Sequence, residues 1–182
     1  MRIVFIDTET SDLPDRNPNA EIIAYTIQPW VDGVRGTAQT VHLFPRGPVA
    51  PEAQRVNGYT EALWHYRGAV RAFDDTDLAF LRQALDNAIV GGHNTGFDTN
   101  MIELEFARRR TAKPDWNYRK VDTQAMAMGL VGIGVIQKAG LVDMAKHFGI
   151  PHTNAHTSFG DVETTILVWE KFLEINLKAY GF

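Results

Sequence analysis

The chain has 182 residues, 45% of them hydrophobic and 22% charged, with no cysteine and a formal net charge of −4. That length supports a buried core in a single domain spanning residues 1–182, and the composition is that of a globular protein, not a fibre or a disordered tail. The absence of cysteine excludes disulfides and thiolate metal sites, and the negative net charge argues against a general nucleic-acid coat protein.

The first element is RIVFIDTET (residues 2–10). Ile3, Val4, Phe5 and Ile6 are apolar at every position, the pattern of a strand buried on both faces in the middle of a sheet. Side chains alternate along a strand, so Asp7 and Glu9 share one side at its carboxyl end while Thr8 faces the other way. A polar loop with Pro14 and Pro18 follows. EIIAYTIQPWVDGVRGTAQTVHLF (21–44) reads as two strands joined by a hairpin turn at Asp32-Gly33. DDTDLAFLRQALDNAIVGGHN (74–94) begins with acids and spaces Leu78, Leu81, Leu85 and Ala88 helically, then runs into a short buried strand at Ile89–Gly92. A helix is expected from about Phe97 to Arg110, and a short strand ending at Val121. Leu141, Met144, Ala145 and Phe148 mark a small helix closed by Gly149. The last helix carries Val162, Ile166, Trp169 and Leu173 on one face. The order predicts an α/β protein whose mixed sheet, an antiparallel meander plus parallel strands, has helices on both sides.

No secretory signal fits the start, because Asp7, Glu9 and Asp12 interrupt its apolar run. The run AMAMGLVGIGVI (125–136) is shorter than the roughly 20 residues that span a bilayer. A cytoplasmic protein with no membrane partner is therefore expected. One stretch departs from the acidic balance: RRRTAKPDWNYRK (108–120) carries six cations, Arg108, Arg109, Arg110, Lys113, Arg119 and Lys120, against Asp115. It reads equally as a phosphate-steering patch or as a solvated helix end.

Two further acids stand just inside helix starts. Asp98 follows the strand at 89–92, and Asp161 opens the last helix with His156 five residues earlier. Singly, each has an ordinary explanation: Thr95-x-x-Asp98 and Ser158-x-x-Asp161 read as capping boxes, Asp7 and Glu9 as turn and surface acids, and His93, His147 and His152 as loop histidines. Together they suggest more. Functional crevices in open α/β sheets lie at the carboxyl ends of strands, where all four acids can meet. Four carboxylates without a local lysine or arginine call for hard divalent cations, and two such ions stabilise the attacking and leaving oxygens of a phosphoryl displacement. A nearby histidine suits the removal of a proton from water.

FIDTET, GHNTGFD and HTSFGD resemble, in order and spacing, the three motifs of the DEDDh 3′→5′ exonucleases, a family with a ribonuclease H-like fold. PEAQRVNGYT (51–60) resembles the family segment that borders the terminal nucleotide, and VDT (121–123) a recurring strand-end triplet. The resemblance implies that Asp7, Glu9, Asp98 and Asp161 hold two Mg²⁺ or Mn²⁺ ions and that His156 is the general base. It also implies that Thr10, Glu52, Asn57 and Phe97 border the substrate. Ser11-Asp12 after DTET, and Asn57 where the proofreading subunit has histidine, depart from the family on the substrate side. The implied partner is the 3′ end of a single-stranded DNA or RNA, with a polymerase or a second copy of the chain left open. Competing readings are an oligoribonuclease, a ribonuclease H-type endonuclease, and a non-catalytic module that binds nucleic acid or a polymerase. The D-x-E pair and His156 argue against the endonuclease, and the intact set of five argues against the silent module.

Overall fold

The computed structural model describes residues 1–179. Its strands are β1 (Arg2–Thr10), β2 (Ile22–Val31), β3 (Val34–Arg35), β4 (Gln39–His42), β5 (Ile89–Gly92) and β6 (Lys120–Asp122). Its helices are α1 (Pro51–Asn57), α2 (Glu61–Tyr66), α3 (Asp75–Leu85), α4 (Thr95–Arg108), α5 (Thr123–Gly132), α6 (Leu141–Phe148) and α7 (Ser158–Ala179). The six-stranded sheet runs β3-β2-β1-β5-β6, with β4 also paired to β2. β1 sits at its centre, antiparallel to β2 and parallel to β5, which is in turn parallel to β6. The fold class expected from the sequence is the one observed.

The alternation along β1 decides what each face meets. Val4 and Ile6 pack with Leu81, Leu85, Met101 and Phe106 from α3 and α4. Ile3 and Phe5 pack on the opposite face with Val162 and Ile166 of α7. Asp7 and Glu9 continue the α7 series, and Thr8 continues the α4 series. β5 approaches β1 so closely that a Cβ on Gly91 would lie 2.8 Å from the Phe5 ring, so only glycine fits there.

The second half of the expected hairpin is less regular than its pattern suggested. Asp32 and Gly33 do turn through positive φ (48° and 91°), as a two-residue hairpin loop requires. The returning strand breaks after Arg35, however, and resumes as β4, so β2 pairs with two short strands. The sequence shows no helical period over α1, α2 and α5. The first two are only 7 and 6 residues long, too short for a period to register. α5 is built from the apolar run containing Met126 and Met128, which has no polar face to mark it.

Two cations of the basic stretch are engaged within the fold. Arg108 bonds Glu105 and the carbonyls of Pro18 and Ala20, and Arg109 bonds Glu105 and the Phe73 carbonyl and pairs with Asp75. Glu105 is 1% exposed, and its burial raises its pKa against the opposing pull of the two guanidiniums. These two arginines therefore neutralise a buried acid towards the far end of α4, about 10 Å along the helix from Asp98. No described helix is long and apolar enough to cross a membrane.

Candidate active site

Three carboxylates meet at the carboxyl end of β1. One oxygen from each of Asp7, Glu9 and Asp161 lies within 4.8 Å of the others. β1 supplies the first two from its α7 face, and the first turn of α7 supplies the third. The register of β1 against β2 slips between Glu9 and Thr10, so the strand bends where its acids are displayed.

Asp98 joins them from α4, the other side of the sheet. It is 3% exposed. Its Oδ1 accepts two 2.8 Å hydrogen bonds from Thr8, one from the backbone N–H and one from the hydroxyl. This overturns the capping-box reading of Thr95-x-x-Asp98. The residue before α4, Asn94, turns through φ 65° and makes no side-chain cap, while the Thr95 hydroxyl donates to the Val121 carbonyl. The start of α4 is held instead by Asp122 of the VDT triplet, whose carboxylate accepts from the N–H groups of Asn94 and Thr95. The same carboxylate caps α5 through Gln124 and Ala125. Asp122 thus fixes the turn that delivers Asp98.

The Ser158-x-x-Asp161 capping box is likewise absent. The Ser158 hydroxyl is paired with Thr26, and Asp161 Oδ1 accepts from the backbone N–H of His156 at 3.3 Å and is bonded to His152 Nε2 at 2.8 Å. His152 is the residue that sequence reasoning missed. Its side chain is only 9% exposed, and its one bonded ring nitrogen is on Asp161. The signal was its place four residues before His156, which no local pattern distinguishes. His156 is exposed and turns through φ 62°, a conformation that non-glycine residues seldom adopt. His93 Nδ1 lies 2.9 Å from the Thr123 hydroxyl.

The electrostatics are one-sided. Burial raises the Asp7 pKa well above its ordinary value, and Asp98, Glu9 and Asp161 raise it further. Burial lifts Glu9 to about 8, helped by Asp161 and Asp98 and opposed by the Arg67 charge. Asp98 is also raised by burial, against the two Thr8 hydrogen bonds. Among the described residues no lysine or arginine forms an ion pair with any of these acids. Clustered carboxylate oxygens with no lysine or arginine partner are what a hard divalent cation binds, so the residues present fit such an ion.

Beside the acids lies a cavity of about 220 Å³ whose wall includes Glu9, Thr10, Glu52, Asn57 and Phe97. The four residues expected to border the substrate are therefore brought together. Asn57 spends its amide internally, donating to the Thr10 carbonyl and accepting from the Tyr59 N–H, so it braces the wall. Glu52 is exposed and pairs with Arg55.

The family model described as exonuclease (RNase_T) matches residues 4–169. No curated relative matches the sequence. Among solved structures, E. coli exonuclease I in complex with a dT13 oligonucleotide has a TM-score of 0.77 at 16% identity, over 98% of this chain and 43% of that one. The zinc-bound E. coli exonuclease I–ssDNA complex gives 0.76 at 18% identity, over 98% and 42%. A moderately thermophilic exonuclease I from Methylocaldum szegediense gives 0.69 at 18% identity, over 92% and 39%. The chain thus spans about two fifths of the length of these proteins and shares their ribonuclease H-like fold. Since the family model runs from within β1 into α7 and takes in all three acid-bearing segments, this chain belongs to the exonuclease family.

Proposed function

We propose that the chain hydrolyses phosphodiester bonds one nucleotide at a time from the 3′ end of single-stranded nucleic acid, releasing nucleoside 5′-monophosphates. The observation that carries this reading is the cluster of Asp7, Glu9 and Asp161 directly beside a cavity sized for a terminal nucleotide. The oligonucleotide and ssDNA complexes of E. coli exonuclease I support a single-stranded substrate.

Asp7, Glu9 and Asp161 would hold one Mg²⁺ or Mn²⁺, and Asp7 with Asp98 a second. When bound, the ions supply charge for the attacking and leaving oxygens. His156, exposed and with its backbone N–H on Asp161, takes the proton from the attacking water. The water oxygen bonds to phosphorus, the P–O3′ bond breaks, and O3′ leaves with a proton taken up from solvent as the 3′ hydroxyl of the shortened strand. Thr10 and Phe97 line the pocket for the departing nucleotide, Glu52 stands at its mouth towards the 3′ hydroxyl, and Asn57 holds the Thr10 backbone in place.

A 5′-labelled single-stranded oligonucleotide incubated with Mn²⁺ tests the reading. A ladder that shortens stepwise from the 3′ end is expected. Cleavage of closed circular DNA at a comparable rate would overturn it. Parallel DNA and RNA strands of one sequence decide between deoxyribonuclease and oligoribonuclease activity.

A further inference from the structure

A second cavity, of about 280 Å³, is lined by Thr40 and His42 of β4, Arg67, and Asn154, Thr157, Ser158 and Phe159 at the entry to α7, the helix whose first turn carries Asp161. A run of hydroxyls ties its wall to the strand beside Asp7. Ser158 lies three residues before Asp161, and its Oγ is 2.9 Å from Thr26 Oγ1, which is 2.8 Å from Thr40 Oγ1. Thr26 is in turn the β2 partner of Asp7.

Arg67 is the unusual member. It follows α2, half-buried, with its guanidinium 5.2 Å from the centre of the Trp64 ring. Among the described residues it makes no ion pair and its guanidinium donates no hydrogen bond, although the other half-buried arginines are engaged, Arg35, Arg71 and Arg109 with carboxylates and Arg82 with the Thr111 hydroxyl and the Ala112 carbonyl. Its charge nevertheless reaches the site: it opposes the rise of the Glu9 pKa and helps to lower that of His42. A partly desolvated cation with five unused donors, fixed against an aromatic ring, is poised for an anion with several acceptor oxygens. Phe159 adds an aromatic surface, 38% exposed, at the same opening. A cation to hold the backbone and a ring to stack a base are the elements of a single-strand binding groove.

We infer that this cavity receives the nucleotide upstream of the scissile bond, with Arg67 binding the next phosphodiester and Phe159 stacking on the base. The inference rests on the exonuclease reading and adds to it a subsite on the retained strand, opposite the pocket of the released nucleotide. It gives the acidic rim one fixed cation where the polyanion must cross, offsetting repulsion from carboxylates not covered by metal.

The test compares an oligothymidylate with the p-nitrophenyl ester of thymidine 5′-monophosphate, which offers the same kind of phosphodiester but has no upstream phosphate. For Arg67→Gln, the ratio of kcat/KM on the oligonucleotide to kcat/KM on the ester should fall about tenfold, through KM for the strand. The slope of log(kcat/KM) against log[salt] should become shallower by about 0.7, the loss of one phosphate contact on a single strand. Arg67→Lys should recover part of the ratio. A substrate-side arm guards against misfolding of a variant: a methylphosphonate at the upstream linkage should cost the wild type a similar factor and cost Arg67→Gln little more. Equal losses of Arg67→Gln on strand and ester, or additive effects of variant and methylphosphonate, would overturn the subsite and leave exonuclease activity standing. A wild-type chain that hydrolyses neither substrate overturns the exonuclease reading, and the subsite with it.

Discussion

At the residue scale, two histidines share one loop and contribute different things. His152 holds Asp161 Oδ1 from a buried position, whereas His156 reaches the same oxygen only through its backbone N–H and leaves its imidazole exposed. In the proposed mechanism His152 would therefore orient a metal ligand, and His156 would act on water. Partners that orient metal ligands typically matter 10–100-fold in affinity or activity. His152→Ala should accordingly weaken Mn²⁺ binding by about 10–100-fold by isothermal titration, with activity returning as Mn²⁺ is raised. His156→Asn, which tolerates the left-handed backbone, should bind Mn²⁺ nearly as before yet lose about 10²–10⁴-fold in kcat at any metal concentration. The opposite pattern, with His152 setting kcat and His156 setting affinity, would reverse the two assignments.

At the scale of elements, the start of α7 depends on close contact with the loop that carries those histidines. A Cβ on Gly160 would lie 2.7 Å from Asn154 Cβ and 2.8 Å from its carbonyl carbon, so the loop sits against the helix only because residue 160 has no side chain. Gly160→Ala must push the loop outward, and His152 and His156 move with it. Overpacking of this kind typically costs about 1–3 kcal/mol of stability. The variant should unfold at correspondingly lower urea and bind Mn²⁺ more weakly than wild type. A destabilised variant whose Mn²⁺ affinity is intact would show that the contact supports the helix alone. The same scale explains α4: its first turn presents Asp98 to the site, while its last turn uses Arg108 and Arg109 to satisfy Glu105.

At the scale of the whole molecule, clustered acids couple folding to pH and metal. Glu9 stands near 8 against an ordinary 4.5, chiefly through burial, and Asp7 is raised by burial and its acidic neighbours. A carboxyl raised on folding keeps its proton where the unfolded chain has lost it, so the folded state carries the extra proton between pH 4.5 and about 8. This contribution to stability is full below that window and disappears as pH rises through it. In EDTA the melting temperature should therefore decline from about pH 5 to about pH 8. Mn²⁺ should reverse the decline, with a larger gain at the alkaline end, because the cation takes the place of the protons. Asp7→Asn should flatten the EDTA profile and abolish the Mn²⁺ gain. Calorimetric scans in which Asp7→Asn still gains stability from Mn²⁺ would remove Asp7 from the metal site.

Much of this architecture was legible in the chain itself, because burial and side-chain direction follow from short-range periodicity. An apolar run ending in Asp7 and Glu9 suits a central strand with both acids on one face, and the heptad-like spacing of Val162, Ile166, Trp169 and Leu173 marks the helix that covers that face. What periodicity cannot carry is the choice of partner between segments distant in sequence. Thr8 and Asp98 are 90 residues apart, and their pairing replaced a plausible local cap. Arg108 and Arg109 read equally as a phosphate patch or a solvated helix end, and in the fold the buried Glu105 binds both. His152 looked like any loop histidine, and Asp122 like a strand end, until the sheet brought one to Asp161 and the other to the start of α4. Each of these choices depends on which polar groups are left without water once the layers close, and only the packed molecule determines that.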